Sequence, residues 1–214
     1  IEKYSNLFGV ACGQKNVLFT NNDSAYETAI SLFQKGINVG AIIDNREEVD
    51  SKLVKEIEKN NIKIYKGYTV VNTFGYKKIN KISIMQLSKD GQKVVGSKIS
   101  IDCDCLGMSG GWTPAVHLFT QSGGKLKFRD EDQVFIPDTY PSDQISIGSC
   151  NGEFTLDEIL SSISKKLKDF LNIKKTEYEN LEIQSHFNKT KRNIWLLPSD
   201  KIIGKTKPFV DYQN

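Results

Sequence analysis

The spacing of apolar residues along the first half of the chain changes from the period of strands to that of helices and back. The run NVLFT (16–20) has the short apolar pattern of a buried strand, and SAYETAISLFQKG after it carries apolar residues at helical spacing. A second apolar strand, INVGAIID (37–44), comes next. A strand, a helix and a strand within about 30 residues predict a βαβ unit with parallel strands and a right-handed crossover.

Further along, the pattern predicts a second helix at 50–61 and a third strand at 62–65. The segments YTVVNTF, KISIMQL and KVVGSKISI are then rich in β-forming residues, and SKDG between the last two is a turn signal. Residues 68–101 therefore predict an antiparallel meander. After it, DCLGMSGG returns to a buried strand that ends in glycines.

The second half of the chain predicts fewer elements. A loop-rich stretch is followed by a short predicted strand, QISIGS (144–149), and by a helix over 153–171. Thr155 and Glu158 match a capping box at the start of that helix. Its apolar positions form one stripe, made by Leu156, Ile159, Ile163, Leu167 and Phe170.

Composition narrows the class of protein. The 214 residues, 38% hydrophobic and 26% charged, can bury the core of one large domain or two small ones. A net charge of +3 without a basic patch does not favour nucleic acid, and no apolar run approaches the roughly 18 residues of a membrane span. The four cysteines are too scattered for a secreted disulfide framework. We therefore expect a cytoplasmic protein, and the start at Ile1 without Met predicts a piece of a longer one.

The segment TNNDSAYETA (20–29) lies where a dinucleotide-binding protein carries its glycines. Those glycines let the backbone approach a pyrophosphate, but here residues 21–24 all have side chains. Ser24 and Glu27 match a capping box, which would satisfy the helix amides that a phosphate needs. Asp23 adds a negative charge that would repel it. The segment predicts a nucleotide-binding fold whose phosphate site is plugged.

Three other places each have a functional and a structural interpretation. Asp44 ends the second strand about 20 residues on, where a ribose is held in dinucleotide-binding folds, but an Asp at a strand end is more often a turn or cap residue. The segment SGG (109–111) follows a buried strand at the edge where ligands lie, or it makes a tight turn before Pro114. The segment GSCNG (148–152) before the last helix has the same two interpretations.

The cysteines and histidines predict neither a metal site nor a catalytic residue. The pair in CDC (103–105) lacks further ligands at useful spacing, whereas a zinc site needs about four. Buried structural cysteines are the favoured interpretation. No local motif supports Cys150 and a histidine as nucleophile and base.

Several longer motifs carry a resemblance to a known family. NDSAY, the segment DCLGMSGGWTPAVHLFTQSGGKLKF with VFIP after it, and the ending KPFVDYQN resemble the α subunit of heterotetrameric sarcosine oxidase. The resemblance covers most of the chain from about Tyr4. Because those subunits are several times longer, it implies an internal segment.

The resemblance implies an activity for the complete enzyme. The family oxidatively demethylates sarcosine to glycine, reduces oxygen to hydrogen peroxide and passes the one-carbon unit to tetrahydrofolate. Its flavins, FAD and FMN, are associated with the β subunit and the α/β interface, and its α subunit binds NAD. The implied partners are the β, γ and δ subunits and the missing parts of α.

The resemblance also implies a fold. The middle of such α subunits is similar to flavoprotein reductases with two dinucleotide-binding domains, an α/β, Rossmann-like three-layer fold with an antiparallel β-meander. Residues 14–105 would be an inserted, degenerate Rossmann-like domain, with 1–13 and 106–172 the returning half of the outer domain. Residues 173–214 would connect to a missing region, and the principal NAD loop would lie outside this chain.

The same pattern assigns candidate cofactor contacts. Ser109, Gly110 and Gly111 would match the glycine turn after the inserted domain, and Gly148 and Ser149 the glycine-acid pair that touches the cofactor. Ser149 departs from the acid expected in flavin binders, which puts flavin binding there in doubt.

The sequence therefore predicts a structural and partial NAD-binding segment, with no catalytic residue or metal ligand and no complete active site. One alternative is an autonomous NAD-dependent oxidoreductase that uses Asp44. The other is a subunit-interaction module of a related amine or opine oxidase.

Overall fold

The computed structural model describes residues 1–49, 51–141, 143–172, 194 and 196–200. Contacts within the described chain divide it into two compact units. The first contains Ile1–Gly111 together with residues 194 and 196–200, and the second begins at Trp112. Each unit is described by itself.

The first unit contains two α/β crossovers followed by a β-meander. In chain order its elements are α1 (Glu2–Phe8), β1 (Asn16–Thr20), α2 (Ser24–Gln34), β2 (Val39–Asp44), α3 (Ser51–Lys59), β3 (Lys63–Lys66), β4 (Tyr68–Gly75), β5 (Ile79–Leu87), β6 (Val94–Asp102) and β7 (Cys105–Ser109). One sheet has the order β3-β2-β1-β7 with every pair parallel. The predicted βαβ unit is therefore confirmed.

The meander forms a separate antiparallel sheet in the order β4-β5-β6. The predicted turn between β5 and β6 is present, with the Gly91 amide donating to the Ser88 carbonyl oxygen at 2.8 Å. Gly75 makes the turn after β4, where φ is +140° and an added Cβ would meet the Lys78 carbonyl oxygen at 1.9 Å. Only glycine fits that position.

The central strands β1 and β2 of the parallel sheet are covered on both faces, which makes the first unit three layers thick. On one face α2 and α3 pack Leu32 and Ile57 against Leu18 and Ile42. On the other face, Ile82 and Ile84 of the meander pack against Val17, Phe19 and Ile43 of the same parallel strands. Successive strand residues point to opposite faces, and because both faces are covered, all the residues of β1 are buried. The three-layer α/β fold with its meander is confirmed.

The strand after the meander belongs to the parallel sheet. Residues Asn16 to Thr20 of β1 pair in register with Cys105 to Ser109 of β7. The sequence prediction places a domain boundary between 105 and 106, whereas the compact unit continues to Gly111 because β7 pairs with β1. The division into inserted and outer domains stays a prediction.

The second unit is smaller and holds more structure than the sequence predicts. It contains α4 (His117–Gln121), the antiparallel hairpin of β8 (Lys125–Arg129) and β9 (Val134–Thr139), a 3₁₀ turn at Gly148–Asn151 and α5 (Leu156–Leu171). The predicted strand at 144–149 is wrong. Residues 144–147 form no strand, Gly148 begins the 3₁₀ turn with a φ of +76°, and its amide donates to the Glu153 carboxylate.

Helix α5 begins as the sequence predicts. The Glu158 amide donates to Thr155 Oγ1 at 3.4 Å and the Thr155 amide to Glu158 Oε2 at 3.3 Å, which confirms the capping box. The apolar stripe is only partly covered within the described chain: Ile159 and Ile163 are half-buried, whereas Leu156 and Phe170 are exposed. Of the predicted connecting segment 173–214, only residues 194 and 196–200 are described.

Within the described ranges, the helices are too short or too polar to cross a membrane.

Candidate functional site

Three strand ends form the edge of the parallel sheet at which open α/β folds bind ligands. Thr20 at the end of β1 lies in register between Asp44 of β2 and Ser109 of β7. The fold thus brings the predicted site residues Asp44 and Ser109–Gly111 to one edge of the first unit. Gly148 and Ser149 belong to the second unit.

Side chains of the loop after β1 bind the loop after β7. Asn21 Nδ2 donates to the Gly110 carbonyl oxygen at 3.1 Å. Asn22 Nδ2 donates to the carbonyl oxygen of Ser109 at 3.2 Å and lies 3.0 Å from its Oγ. The polar backbone of the predicted glycine turn is therefore engaged by the residues that replace the phosphate-loop glycines.

The predicted capping box of Ser24 and Glu27 is wrong. Helix α2 begins at Ser24 itself, with Asp23 as its N-cap residue. The amide and hydroxyl of Ser24 donate to Asn22 Oδ1 at 3.1 and 2.5 Å. The Asn22 side chain closes a tight local turn two residues before Ser24, which moves Ser24 into the first helical turn. A side chain of the loop still satisfies the first amide of the helix.

A buried ion cluster lies beside this loop. Arg46 Nη2 is 2.7 Å from Asp44 Oδ2 and 2.7 Å from Asp23 Oδ1. Arg46 Nε and its amide also donate to Asp44, at 2.9 to 3.2 Å. Arg46 is 4% exposed, Asp23 1% and Asp44 0%. One guanidinium therefore joins the start of α2 to the end of β2 without access to solvent.

Tyr26 completes the cluster from the first turn of α2. Its hydroxyl donates to Asp44 Oδ2 at 3.0 Å. Burial and the charge of Asp44 hold the pKa of Tyr26 far above its ordinary value, so the phenol stays neutral. Burial opposes the charged form of Arg46, but hydrogen bonds to Asp44 and Asp23 outweigh it and raise the pKa of the guanidinium.

The geometry leaves little space for a cofactor at this edge. Asp44 has both carboxylate oxygens bonded within the protein, so a ribose would have to displace Tyr26 or Arg46. The cavity lined by Thr20, Asn45, Ser109 and Leu197 has a volume of about 130 Å³, below the roughly 300 Å³ at which ligand pockets begin. The ribose role of Asp44 stays a prediction.

The glycine turn after β7 is more open. Gly110 is exposed and an added Cβ would meet no heavy atom within 4 Å. Gly111 has a φ of +107°, which favours glycine. This turn has the bare, accessible backbone that a closely approaching cofactor requires, and its cofactor role also stays a prediction.

In the second unit, an acid that the sequence analysis missed binds the other predicted glycine. Glu153 accepts from the Gly148 amide at 2.9 Å and from Lys166 Nζ at 2.9 Å. Burial opposes its ionisation, but hydrogen bonds from Ser162, Lys166 and other donors lower the pKa of Glu153. Ser149 is exposed. The Gly148 amide thus has an internal acidic partner, four residues beyond the position where the family pattern has one.

The sequence contains only weak signals for the residues that were missed. Arg46 follows Asp44 by two residues, and a basic residue just after a strand-end acid indicates a local ion pair. Cys103 is buried among core residues, and His117 is exposed at the start of α4. Across the described parts of the chain, no three His, Cys, Asp or Glu residues are grouped to hold a metal ion.

We expect Arg46→Ala to lower the free energy of unfolding by about 3 to 5 kcal/mol, because two buried carboxylates lose their cation. Urea denaturation at pH 7 measures this loss. The control is Lys127→Ala, which removes the pair of Lys127 and Asp138; their side chains are 57% and 43% exposed, so about 0 to 1 kcal/mol is expected. Equal losses in the two variants would contradict a stabilising buried cluster.

We expect Tyr26→Phe to cost about 1 kcal/mol at pH 7, because Asp44 loses a hydrogen bond. The native pKa of Tyr26 is raised, whereas the unfolded value is about 10. The contribution of Tyr26 to the free energy of unfolding is therefore complete below pH 10. Above pH 10 the phenol ionises only in the unfolded state, so this contribution falls by about 1.4 kcal/mol per pH unit.

Urea denaturation between pH 8 and 11 tests this dependence on pH. The difference between wild type and Tyr26→Phe should shrink above pH 10. Tyr76 is 98% exposed, so Tyr76→Phe should leave the alkaline fall intact. A constant difference between wild type and Tyr26→Phe would show that Tyr26 is not held neutral.

Comparison with curated proteins gives three relatives of one kind. The chain is 27% identical to the sarcosine oxidase subunit alpha of Corynebacterium sp. strain P-1 over 221 residues, which cover 100% of this chain and 22% of the relative. It is 29% identical to that of Corynebacterium sp. strain U-96 over 71% of this chain and 16% of the relative. With the Rhizobium meliloti protein it shares 30% identity over 62% of this chain and 12% of the relative.

The chain thus spans about a fifth or less of the length of the curated relatives it matches. No protein-family profile matches it.

Among solved structures, the chain is similar to flavoprotein disulfide reductase RclA from Escherichia coli, with a TM-score of 0.52 and 12% identity over 75% of this chain and 36% of that one. LpdA from Mycobacterium tuberculosis has a TM-score of 0.50 and 14% identity over 81% of this chain and 38% of that one. At such identity the likeness concerns the fold alone. The chain has a Rossmann-like α/β fold, and its predicted resemblance to part of the sarcosine oxidase α subunits is confirmed.

Proposed function

We propose that this chain is a structural and partial cofactor-binding segment of the α subunit of a sarcosine-oxidase-type enzyme, without a complete active site. The observation that carries the proposal is the filled edge of the parallel sheet. Asn21 and Asn22 bind the loop after strand β7, and Arg46 joins Asp23 to Asp44. A dinucleotide at this edge would need helix amides and a strand-end acid that are not bonded within the protein.

The proposed activity belongs to the complete enzyme and is carried outside this chain. It is the oxidative demethylation of sarcosine to glycine, with hydrogen peroxide as product and the one-carbon unit passed to tetrahydrofolate. The relatives' name supports an amine oxidase, and the flavoprotein reductase fold supports a flavin in the assembly. FAD, FMN and NAD as its cofactors follow from the family resemblance.

Within this proposal, the chain's contribution to cofactor binding comes from its exposed backbone. The Ser109–Gly111 turn would approach a cofactor held mainly by other parts of α, because Gly110 has open space around it. Gly148 and Ser149 stay candidate contacts of the second unit, where Ser149 is exposed and Gly148 is buried with its amide bonded to Glu153. The proposed partners are the β, γ and δ subunits and the remainder of α, and the proposed location is the cytoplasm.

Titration with NAD and with FAD by isothermal calorimetry tests the proposal. We expect no binding at micromolar concentrations, because Asp44 is bonded internally and the cavity beside it is small. Asp44→Asn is the matched variant, since it keeps the size of the side chain while it removes the negative charge and one of the two acceptor oxygens. Micromolar binding of NAD that Asp44→Asn abolishes, with circular dichroism unchanged, would contradict the proposal and support the autonomous NAD-dependent oxidoreductase instead.

A subunit-interaction module is a second candidate, favoured by the surface of α1. None of the residues of this described helix is buried, and Leu7 and Phe8 are each 65% exposed. Two large apolar side chains on adjacent positions are typical of a surface that docks against protein. In the proposed complex, this surface would meet β or the rest of α.

Sedimentation velocity of the chain tests this second candidate. We expect concentration-dependent self-association that the double variant Leu7→Ser and Phe8→Ser reduces about tenfold or more, since apolar burial drives it. Tyr76→Ser is the control, because Tyr76 is also exposed but lies in the meander. A monomer at all concentrations, or equal effects of both changes, would contradict a docking role for α1.

A further inference from the structure

Two cysteines approach each other at the end of the parallel sheet opposite the candidate site. Cys105 opens β7 and is half-buried, whereas Cys12 follows α1 and is exposed. Strand β7 runs parallel to β1, and Cys105 is in register with Asn16. Asn16 is the fourth residue after Cys12. Both cysteines belong to the first unit.

The backbone around the two cysteines is held together by Asp104. Its carboxylate accepts from the amides of Gln14 at 3.1 Å and Lys15 at 2.7 Å. The Asp104 amide in turn donates to the Lys15 carbonyl oxygen at 3.1 Å. The segment that follows Cys12 is therefore fixed beside Cys105 by three hydrogen bonds.

Gly13 provides the space in which this approach occurs. A Cβ added at Gly13 would lie 2.6 Å from Cys105 Cβ, closer than two carbon atoms can come without a bond. The Cα atoms of Cys12 and Gly13 are about 3.8 Å apart, which puts the Cys12 Cα no more than about 8 Å from Cys105 Cβ. Disulfides join residues whose Cα atoms are about 4.4 to 6.8 Å apart, so the exposed Cys12 would move toward Cys105 as the bond closes.

The electrostatics of Cys105 agree with this proximity. Burial raises the pKa of the Cys105 thiol, and the charge of Cys12 raises it further. Because Cys12 is exposed, it is the thiol that an external reagent reaches first.

The remaining cysteines are poorly placed for the same chemistry. Cys103 is 1% exposed and packs in the core against the meander. Cys150 belongs to the second unit, where its Sγ is 3.0 Å from the Ile147 carbonyl oxygen.

We propose that Cys12 and Cys105 form a reversible disulfide, which ties the segment after α1 to β7 when the chain meets a small-molecule disulfide. The Cys12 thiolate attacks one sulfur of the reagent, forms a mixed disulfide and releases one thiolate. The Cys105 thiolate then attacks Cys12 Sγ and releases the second. Two protein thiols are oxidised to one disulfide and the reagent is reduced to two thiols, whose protons come from Cys12 and Cys105.

The test treats the full chain with a buffer of oxidised and reduced glutathione, quenches it by alkylation and maps disulfide-linked peptides by mass spectrometry. We expect one intramolecular link between Cys12 and Cys105, reversed by dithiothreitol. Cys150→Ser should leave the link unchanged, and Cys105→Ser should trap Cys12 as a mixed disulfide with glutathione. A wild-type chain that only accumulates glutathione on Cys12, or links through Cys103 or Cys150, would overturn the proposal.

Gly13→Ala tests the geometry directly. Its Cβ would push the segment away from Cys105, so we expect closure of the disulfide to slow by about tenfold or more, because the effective concentration of the second thiol falls. The first reaction at Cys12 should keep its rate. The control is Gly40→Ala, whose nearest contact is the Asn16 carbonyl oxygen at 3.9 Å. Equal closure rates in the two variants, both folded by circular dichroism, would refute the assigned geometry.

Discussion

The ion pairs of Arg46 with Asp23 and Asp44 are the constraint on which the candidate site depends. All three side chains are almost completely buried, so each charge must be balanced inside the protein. Asp23 begins α2 and Asp44 ends β2, hence Arg46 joins the two ends of one crossover. Tyr26 adds a neutral donor to the same acid. The cluster holds the first α/β unit together where a dinucleotide-binding fold is ordinarily open.

This arrangement is the basis of our proposal that a nucleotide-binding architecture persists here without nucleotide binding at its first loop. In a dinucleotide-binding domain, the helix amides and the strand-end acid are satisfied by the ligand. Here Asn22 satisfies the first amide of α2, and Arg46 and Tyr26 satisfy Asp44. An incoming pyrophosphate would also meet the buried charge of Asp23. In the first unit, the proposed cofactor contacts are therefore confined to the open backbone around Gly110.

Local patterns predicted the features that depend on neighbours in sequence. The capping box of Thr155 and Glu158 is confirmed because both partners lie within one helical turn. The capping box at Ser24 is wrong because Asn22, two residues earlier, competes for the same amide. The strand at 144–149 is wrong because Gly148 adopts a left-handed conformation and Glu153 binds its amide. The spacing of apolar residues does not indicate which polar side chain binds a given backbone amide.

The sequence by itself determined the α/β class, the meander and the absence of glycines from the first loop. It could do so because burial on both faces demands apolar strands and because phosphate loops demand bare backbone. Only the tertiary structure decided the partners of the polar side chains. Asp23, Asp44 and Arg46 are separated in sequence by up to 23 positions and meet only once the crossover places the start of α2 beside the end of β2.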